Sequence, residues 1–124
     1  MSRDKLKTGQ RRSDCPLSST LELIGDKWSL LIIRDMMFFG KESYNEFLNS
    51  SEGISTNILK DRLVKLSEYG LIEFSGGEKR KKYVLTKTGR NLKPVLEAVA
   101  KFGMKYFPGS KAYLEKQMRG AGRI

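Results

Sequence analysis

The 124-residue sequence has no histidine and a single cysteine. Without histidine there is no Ser-His-Asp triad, no Cys-His pair and no His-ligated metal. One thiol, Cys15, builds neither an internal disulfide nor a Cys-only zinc site, and such sparing use fits a cytoplasmic chain. Long apolar runs are absent: Leu30 to Ile33 is stopped by Arg34 and Asp35, far short of the roughly 18–20 residues of a membrane span. The charged N-terminus lacks the apolar stretch of a signal peptide. Gly76-Gly77 is too short for a phosphate loop and opens no helix. Catalysis has little to work with, so neither an enzyme nor a bound cofactor is expected. Acidic residues are also scarce, 14 against 24 Lys and Arg, for a net charge of +10. That balance points to a polyanion: nucleic acid first, an anionic membrane second.

The positive charge is clustered. Residues 1–14 carry +3, residues 78–90 carry +5 and residues 101–124 carry +5, while the middle is close to balanced. A charge run is usually a solvated face; the 78–90 cluster differs because of the pattern around it. The length suits one domain and the 39% apolar content can fill one core. Residues 1–13 read as a flexible basic arm, 14–108 as the folded domain and 109–124 as a basic tail or short helix.

Cys15-Pro16-Leu17-Ser18-Ser19 opens a first helix, with Pro suited to its first position, and Gly25 ends it. Asp26 can cap a second helix from Lys27 to about Phe39, apolar nearly all round and therefore central. A short helix follows over 43–49, then a turn at 50–53. Ser55 caps a longer helix to about Tyr69, with Leu59, Leu63 and Leu66 as its buried stripe. Its opposite side presents Asn57, Lys60, Asp61 and Val64, with Thr56 at the flank. Residues 71–74 and 82–85 alternate as two strands of a hairpin whose tip, 75–81, is loaded with cations. Thr86 or Thr88 then caps a last long helix bearing Leu92, Val95, Leu96, Val99, Phe102 and Tyr106, with Pro94 near its start. The class is mainly α with a small β-hairpin (α+β).

Helix, turn, helix and then a basic two-stranded hairpin is the order of a winged helix-turn-helix. The B-DNA major groove admits one α-helix, whose N-terminal side chains reach base edges. A Lys/Arg hairpin beside it meets phosphate or the minor groove. A generic α+β domain with a solvated hairpin is the plainer alternative.

At these residues the chain resembles the HxlR-type bacterial regulators. The resemblance rests on Cys15-Pro16 with the 24–32 run Ile-Gly-Asp-Lys-Trp-Ser-Leu-Leu-Ile, on Gly53-Ile54-Ser55 followed by the leucine stripe and Gly70-Leu71, and on residues 80–90 with Leu92 and Pro94-Val95-Leu96. It covers about Cys15 to Phe107. It implies a homodimeric winged-helix transcription factor, related in architecture to MarR-type regulators. Dimerisation would run through the N- and C-terminal helices, and the target would be a near-palindromic operator in double-stranded DNA. Repression is the commoner outcome for this resemblance. One departure stands out: the family's wing usually has a Pro-Pro step before the matching arginine, whereas here Gly76-Gly77-Glu78-Lys79 makes a shorter, more basic wing. Phosphate binding is therefore better founded than minor-groove reading.

The expected roles follow. Thr56, Asn57 and Lys60 meet base edges, and Ser55 caps the helix or touches phosphate. Arg80, Lys81 and Lys82 contact the backbone, with Lys79 peripheral. Cys15, at a helix N-terminus and near Arg11 and Arg12, has the surroundings of a thiol redox or electrophile sensor; a lone Cys is more often an inert apolar residue. Some members of the resembled family sense through a cysteine in this region. Trp28, Met36, Met37, Phe38, Phe39, Phe102, Met104 and Tyr106 invite a small-molecule effector pocket, but helical spacing favours core and dimer seam, with Trp28 a core anchor. Two copies paired through the helix over 92–106 would set two recognition helices about 34 Å apart, one duplex turn. The rival classes are a basic winged-helix module acting through protein or RNA, and a membrane-surface binder using Tyr113, Leu114 and Met118.

Overall fold

The computed structural model describes residues 13–76 and 81–120. Its elements run α1 (Pro16–Ile24), α2 (Ser29–Met37), α3 (Tyr44–Leu48), α4 (Thr56–Glu68), β1 (Ile72–Ser75), β2 (Lys82–Leu85), α5 (Lys87–Arg90), α6 (Lys93–Tyr106) and α7 (Ser110–Gly120). The core gathers Ile24 of α1, Ile32, Ile33 and Met36 of α2, Phe47 of α3, the Leu59, Leu63 and Leu66 stripe of α4, Leu71 and Ile72 at the hairpin, and Leu96 of α6. One shared core thus fixes the helix-turn-helix, the hairpin and the last long helix relative to one another.

Local chemistry sets the boundaries. Pro16 occupies the first turn of α1, with Cys15 at the cap position. Asp26 closes the turn ahead of α2, whose cap position falls to Trp28 and not to Asp26 as the sequence suggests: its Oδ2 accepts from the Trp28 and Ser29 backbone N–H groups at 2.9 and 3.0 Å, and its other oxygen accepts from the Ser29 hydroxyl. Ser43 and Glu46 form a reciprocal capping box on α3. Ser55 caps α4, accepting from Ile58 N–H at 3.3 Å. Gly70, at φ +82°, turns the chain out of α4 into β1, a left-handed conformation that favours glycine.

Burial penalises the Asp26 carboxylate, yet the Ser29 hydroxyl, the two N–H donors and nearby Arg62 outweigh it and hold its pKa below the ordinary 3.8. A native pKa below the unfolded one gives stability that is complete above 3.8 and is lost as pH falls through the lowered value. Asp26→Asn is therefore expected to destabilise the protein at neutral pH. Urea unfolding at a series of pH values should show the gap to the parent closing in acid; a gap independent of pH would count against this carboxylate's role in the turn.

Three differences from the sequence expectations have physical causes. The second helix is shorter than Lys27 to Phe39, and it is not apolar throughout: Asp35 lies inside it at 3% exposure. Arg34 and Lys41 compensate that charge, with Arg34 Nη2 at 2.8 Å and Lys41 Nζ at 3.7 Å. Trp28 is half-buried at the core's edge, with the Lys27 ammonium 4.7 Å from its ring centroid. The final long helix is two helices. Thr86, not Thr88, is the cap: its hydroxyl accepts from Gly89 N–H at 3.0 Å and donates to the Gly70 carbonyl at 2.6 Å. The chain then breaks at Asn91-Leu92, and Pro94 sits in the first turn of a new helix, where its missing N–H costs nothing.

Gly89 is needed for close approach. A Cβ there would meet the Leu71 carbonyl oxygen at 2.0 Å, in backbone that cannot yield easily. Gly89→Ala should cost about 2 kcal/mol or more, read as a lower midpoint in denaturant titration. A midpoint within error of the parent would show that the α5–β1 packing is looser than described.

Candidate nucleic-acid interface

The hairpin pairs antiparallel with Ile72 opposite Leu85, Glu73 opposite Val84, Phe74 opposite Tyr83 and Ser75 opposite Lys82. It is fastened beside α3: Tyr83 N–H donates to the Glu42 carbonyl at 2.8 Å, and the Tyr83 ring packs edge-on to Phe47. Phe74 and Tyr83 meet edge-on at 5.1 Å, and the Lys81 ammonium stands 5.8 Å from the Phe74 ring. The strands therefore cannot swing freely relative to the helix-turn-helix.

On α4, the apolar stripe faces the core while Thr56, Asn57 and Lys60 are exposed over the first two turns. None of the three side chains makes an ion pair or hydrogen bond with the described residues. Donors and acceptors left unused on a helix's first turns can address base edges. Asp61 on the same face is neutralised by Arg62 at 3.0 Å and Lys65 at 3.5 Å, and Arg62 also reaches Asp26 at 3.5 Å. The carboxylate that would repel phosphate is thereby masked. The Asp61–Lys65 pair follows from i,i+4 spacing; the Arg62–Asp26 pair spans two elements and leaves no local signal.

Ser55 is occupied as the α4 cap. Lys81 and Lys82 are exposed beside the strands, but Lys82 pairs with Glu42 at 3.4 Å, a partner remote in sequence. Lys79 and Arg80 lie outside the described residues, as do Arg11, Arg12 and the rest of residues 1–12. Cys15 is exposed at the start of α1, and its backbone N–H donates to the Ser13 hydroxyl at 3.1 Å.

Of the aromatic and methionine residues weighed as an effector pocket, Phe38, Phe39 and Met104 do line one apolar cavity of about 830 Å³ between α2, α6 and α7. Trp28, Met36, Met37, Phe102 and Tyr106 are not in its wall. Among the described residues no group of His, Cys, Asp or Glu could hold a metal, and no helix is long and apolar enough to cross a membrane.

The HxlR-like helix-turn-helix model matches residues 23–111. The HTH-type transcriptional regulator sll1512 of Synechocystis sp., itself uncharacterised, is 35% identical over 92 residues, covering 72% of this chain and 67% of that one. The chain spans 56% of the mycobacterial regulators it also matches. Among solved structures, a Porphyromonas gingivalis W83 chain assigned to the MarR family of transcriptional regulators superposes with TM-score 0.70 and 30% identity, over 81% of this chain and all of that one. The redox regulator HypR in its oxidised form gives TM-score 0.63 and 28% identity, over 73% of this chain and 96% of the other.

Proposed function

The chain belongs to the HxlR-like helix-turn-helix family of transcriptional regulators, and from that membership we propose that it binds a near-palindromic operator as a homodimer and represses transcription there. The observation that carries this reading is the uncommitted polar surface of Thr56, Asn57 and Lys60 on α4, beside a basic hairpin fastened to the same core. Here α4 enters the major groove and those three side chains read bases. Lys81, Lys82, Arg80 and, more peripherally, Lys79 neutralise backbone phosphates. Ser55 keeps its cap, which leaves its own N-terminal backbone free to approach phosphate.

The homodimer is supported by what one chain leaves uncovered. Val95, Val99, Phe102 and Tyr106 form one exposed stripe along α6, and Leu17 and Leu21 are exposed on α1. Apolar stripes at this spacing are self-complementary seams in twofold dimers. The basic C-terminal stretch folds as α7 and packs over the cavity. An apolar effector, if the protein takes one, has the cavity between α2, α6 and α7, whose size suits a small molecule.

Selection from a random duplex library tests the reading. The expected result is an enriched motif with two related half-sites centred about one helical turn apart. Recovery of unrelated duplexes with no common motif would overturn it, and would favour a basic module acting through protein or RNA.

We also propose Cys15 as a thiol sensor, on the strength of its exposure at the first turn of α1 and the likeness to the redox regulator HypR. Mild oxidation should weaken operator binding by the parent and leave Cys15→Ser unaffected. Equal behaviour of the two proteins would leave Cys15 an inert exposed thiol.

A further inference from the structure

The turn that leads into α4 is tied to the rest of the molecule from two sides. On one, Glu52 Oε2 accepts from Arg34 Nη1 of α2 at 3.0 Å. Arg34 is itself held by Asp35, and its guanidinium lies over the Phe39 ring at 4.8 Å. Burial opposes the Arg34 charge, but the Asp35 and Glu52 carboxylates outweigh it and raise its pKa, so the guanidinium end of this tie stays charged. On the other side, the Ser51 hydroxyl meets the Tyr113 hydroxyl of α7 at 2.8 Å. Just after these ties Gly53 takes φ +73° and the buried Ile54 anchors the exit into Ser55 and α4.

The second tie comes from outside the family domain. The matched region ends at residue 111, and Tyr113 lies beyond it. No residue of α7 is fully buried; Leu114 and Met118 rest over the apolar cavity. Among the hydrogen bonds of the described residues, Ser51–Tyr113 joins α7 to the helix-turn-helix, and the Tyr113 side chain also interacts electrostatically with Arg34 of α2. A lightly packed helix thus reaches the element that aims the DNA-reading surface.

We propose that Tyr113 is a positioning residue for DNA recognition: through Ser51 it fixes the turn before α4, and so couples the seating of α7 to the aim of the recognition helix. This inference rests on the DNA-binding reading above. A pre-formed turn removes an ordering cost from operator binding. The coupling is reciprocal, so operator binding must in turn hold α7 in place.

The test uses the full chain and the duplex enriched by library selection, with a shuffled duplex as control. Tyr113→Phe and Ser51→Ala should each weaken binding to the selected duplex by about two- to fivefold, the loss of one modest hydrogen bond. Binding to the shuffled duplex should stay unchanged, and the denaturant midpoint should fall by no more than one exposed hydrogen bond allows, equally in the two single variants. The double variant should lose no more than either single one, and Ser51→Thr, which keeps the hydroxyl, should bind like the parent. Hydrogen exchange gives the reciprocal readout: the selected duplex should slow the amides of residues 113–118 in the parent but not in Tyr113→Phe. Unchanged affinity in both single variants, losses that add in the double, or equal protection in parent and variant would overturn the proposal. Failure of the parent itself to distinguish the two duplexes would bring down the DNA-reading function instead.

Discussion

Phe102→Glu is expected to turn the protein from dimer to monomer and to weaken operator binding by about a hundredfold or more. The magnitude follows from lost linkage between two half-site contacts: joining two binding modules raises avidity by about 10²–10⁴ without any new contact. The residue suits the test because its ring is 62% exposed in one chain, leaning on Tyr106 at 4.8 Å rather than on the core. A charge there should leave the fold of a single chain intact and meet its own copy across the seam. Two like charges facing each other at a twofold axis repel and lose water together. Sedimentation velocity reads the mass and anisotropy the affinity. A dimer that survives the change would move the seam elsewhere, with the exposed Leu17 and Leu21 of α1 the next place to look.

Lys60→Ala and Lys81→Ala should fail in different ways. Lys60 projects from the second turn of α4 with no acidic partner among the described residues, whereas Asp61 beside it is shared by Arg62 and Lys65. Removing a base-reading side chain should cost about 1–3 kcal/mol on the preferred sequence and relax preference at one position of each half-site. Lys81, beside the hairpin strands, should weaken all duplexes alike and flatten the salt dependence by about one counterion per half-site. Lys82→Ala should cost less, because Glu42 already competes for that ammonium. Competition assays over single-base variants of the operator separate the patterns. Equal losses on every sequence for Lys60→Ala would remove its base-reading role.

What the sequence made legible is what local chemistry controls. The Ser55 cap, the leucine stripe and the Gly70 stop delimit α4 within a residue, because each acts over one or two turns. Residues 82–85 are strand as expected, and the first strand is displaced by one residue, to Ile72–Ser75, because Leu71 instead donates back to the Leu66 carbonyl in the exit from α4. Thr86 against Thr88 could not be decided locally, since the choice depends on the Gly70 carbonyl sixteen residues away. Asp35 read as the end of an apolar run, and only the fold brings Lys41 to it. Of the site, the exposed face of α4 was readable from period alone. The partners that occupy Lys82 and Arg62, and the tie from Tyr113 to Ser51, join elements far apart in sequence and carry no periodic trace.

The most direct measurement is fluorescence anisotropy of the reduced protein titrated onto the library-selected operator and onto a shuffled duplex of the same length, across a salt series. A sequence-reading regulator should prefer the operator by about a thousandfold, the low end for specific binders, with both affinities falling as salt rises. Equal, steeply salt-dependent binding to the two duplexes would contradict it, leaving the +10 charge as all that holds the protein to DNA.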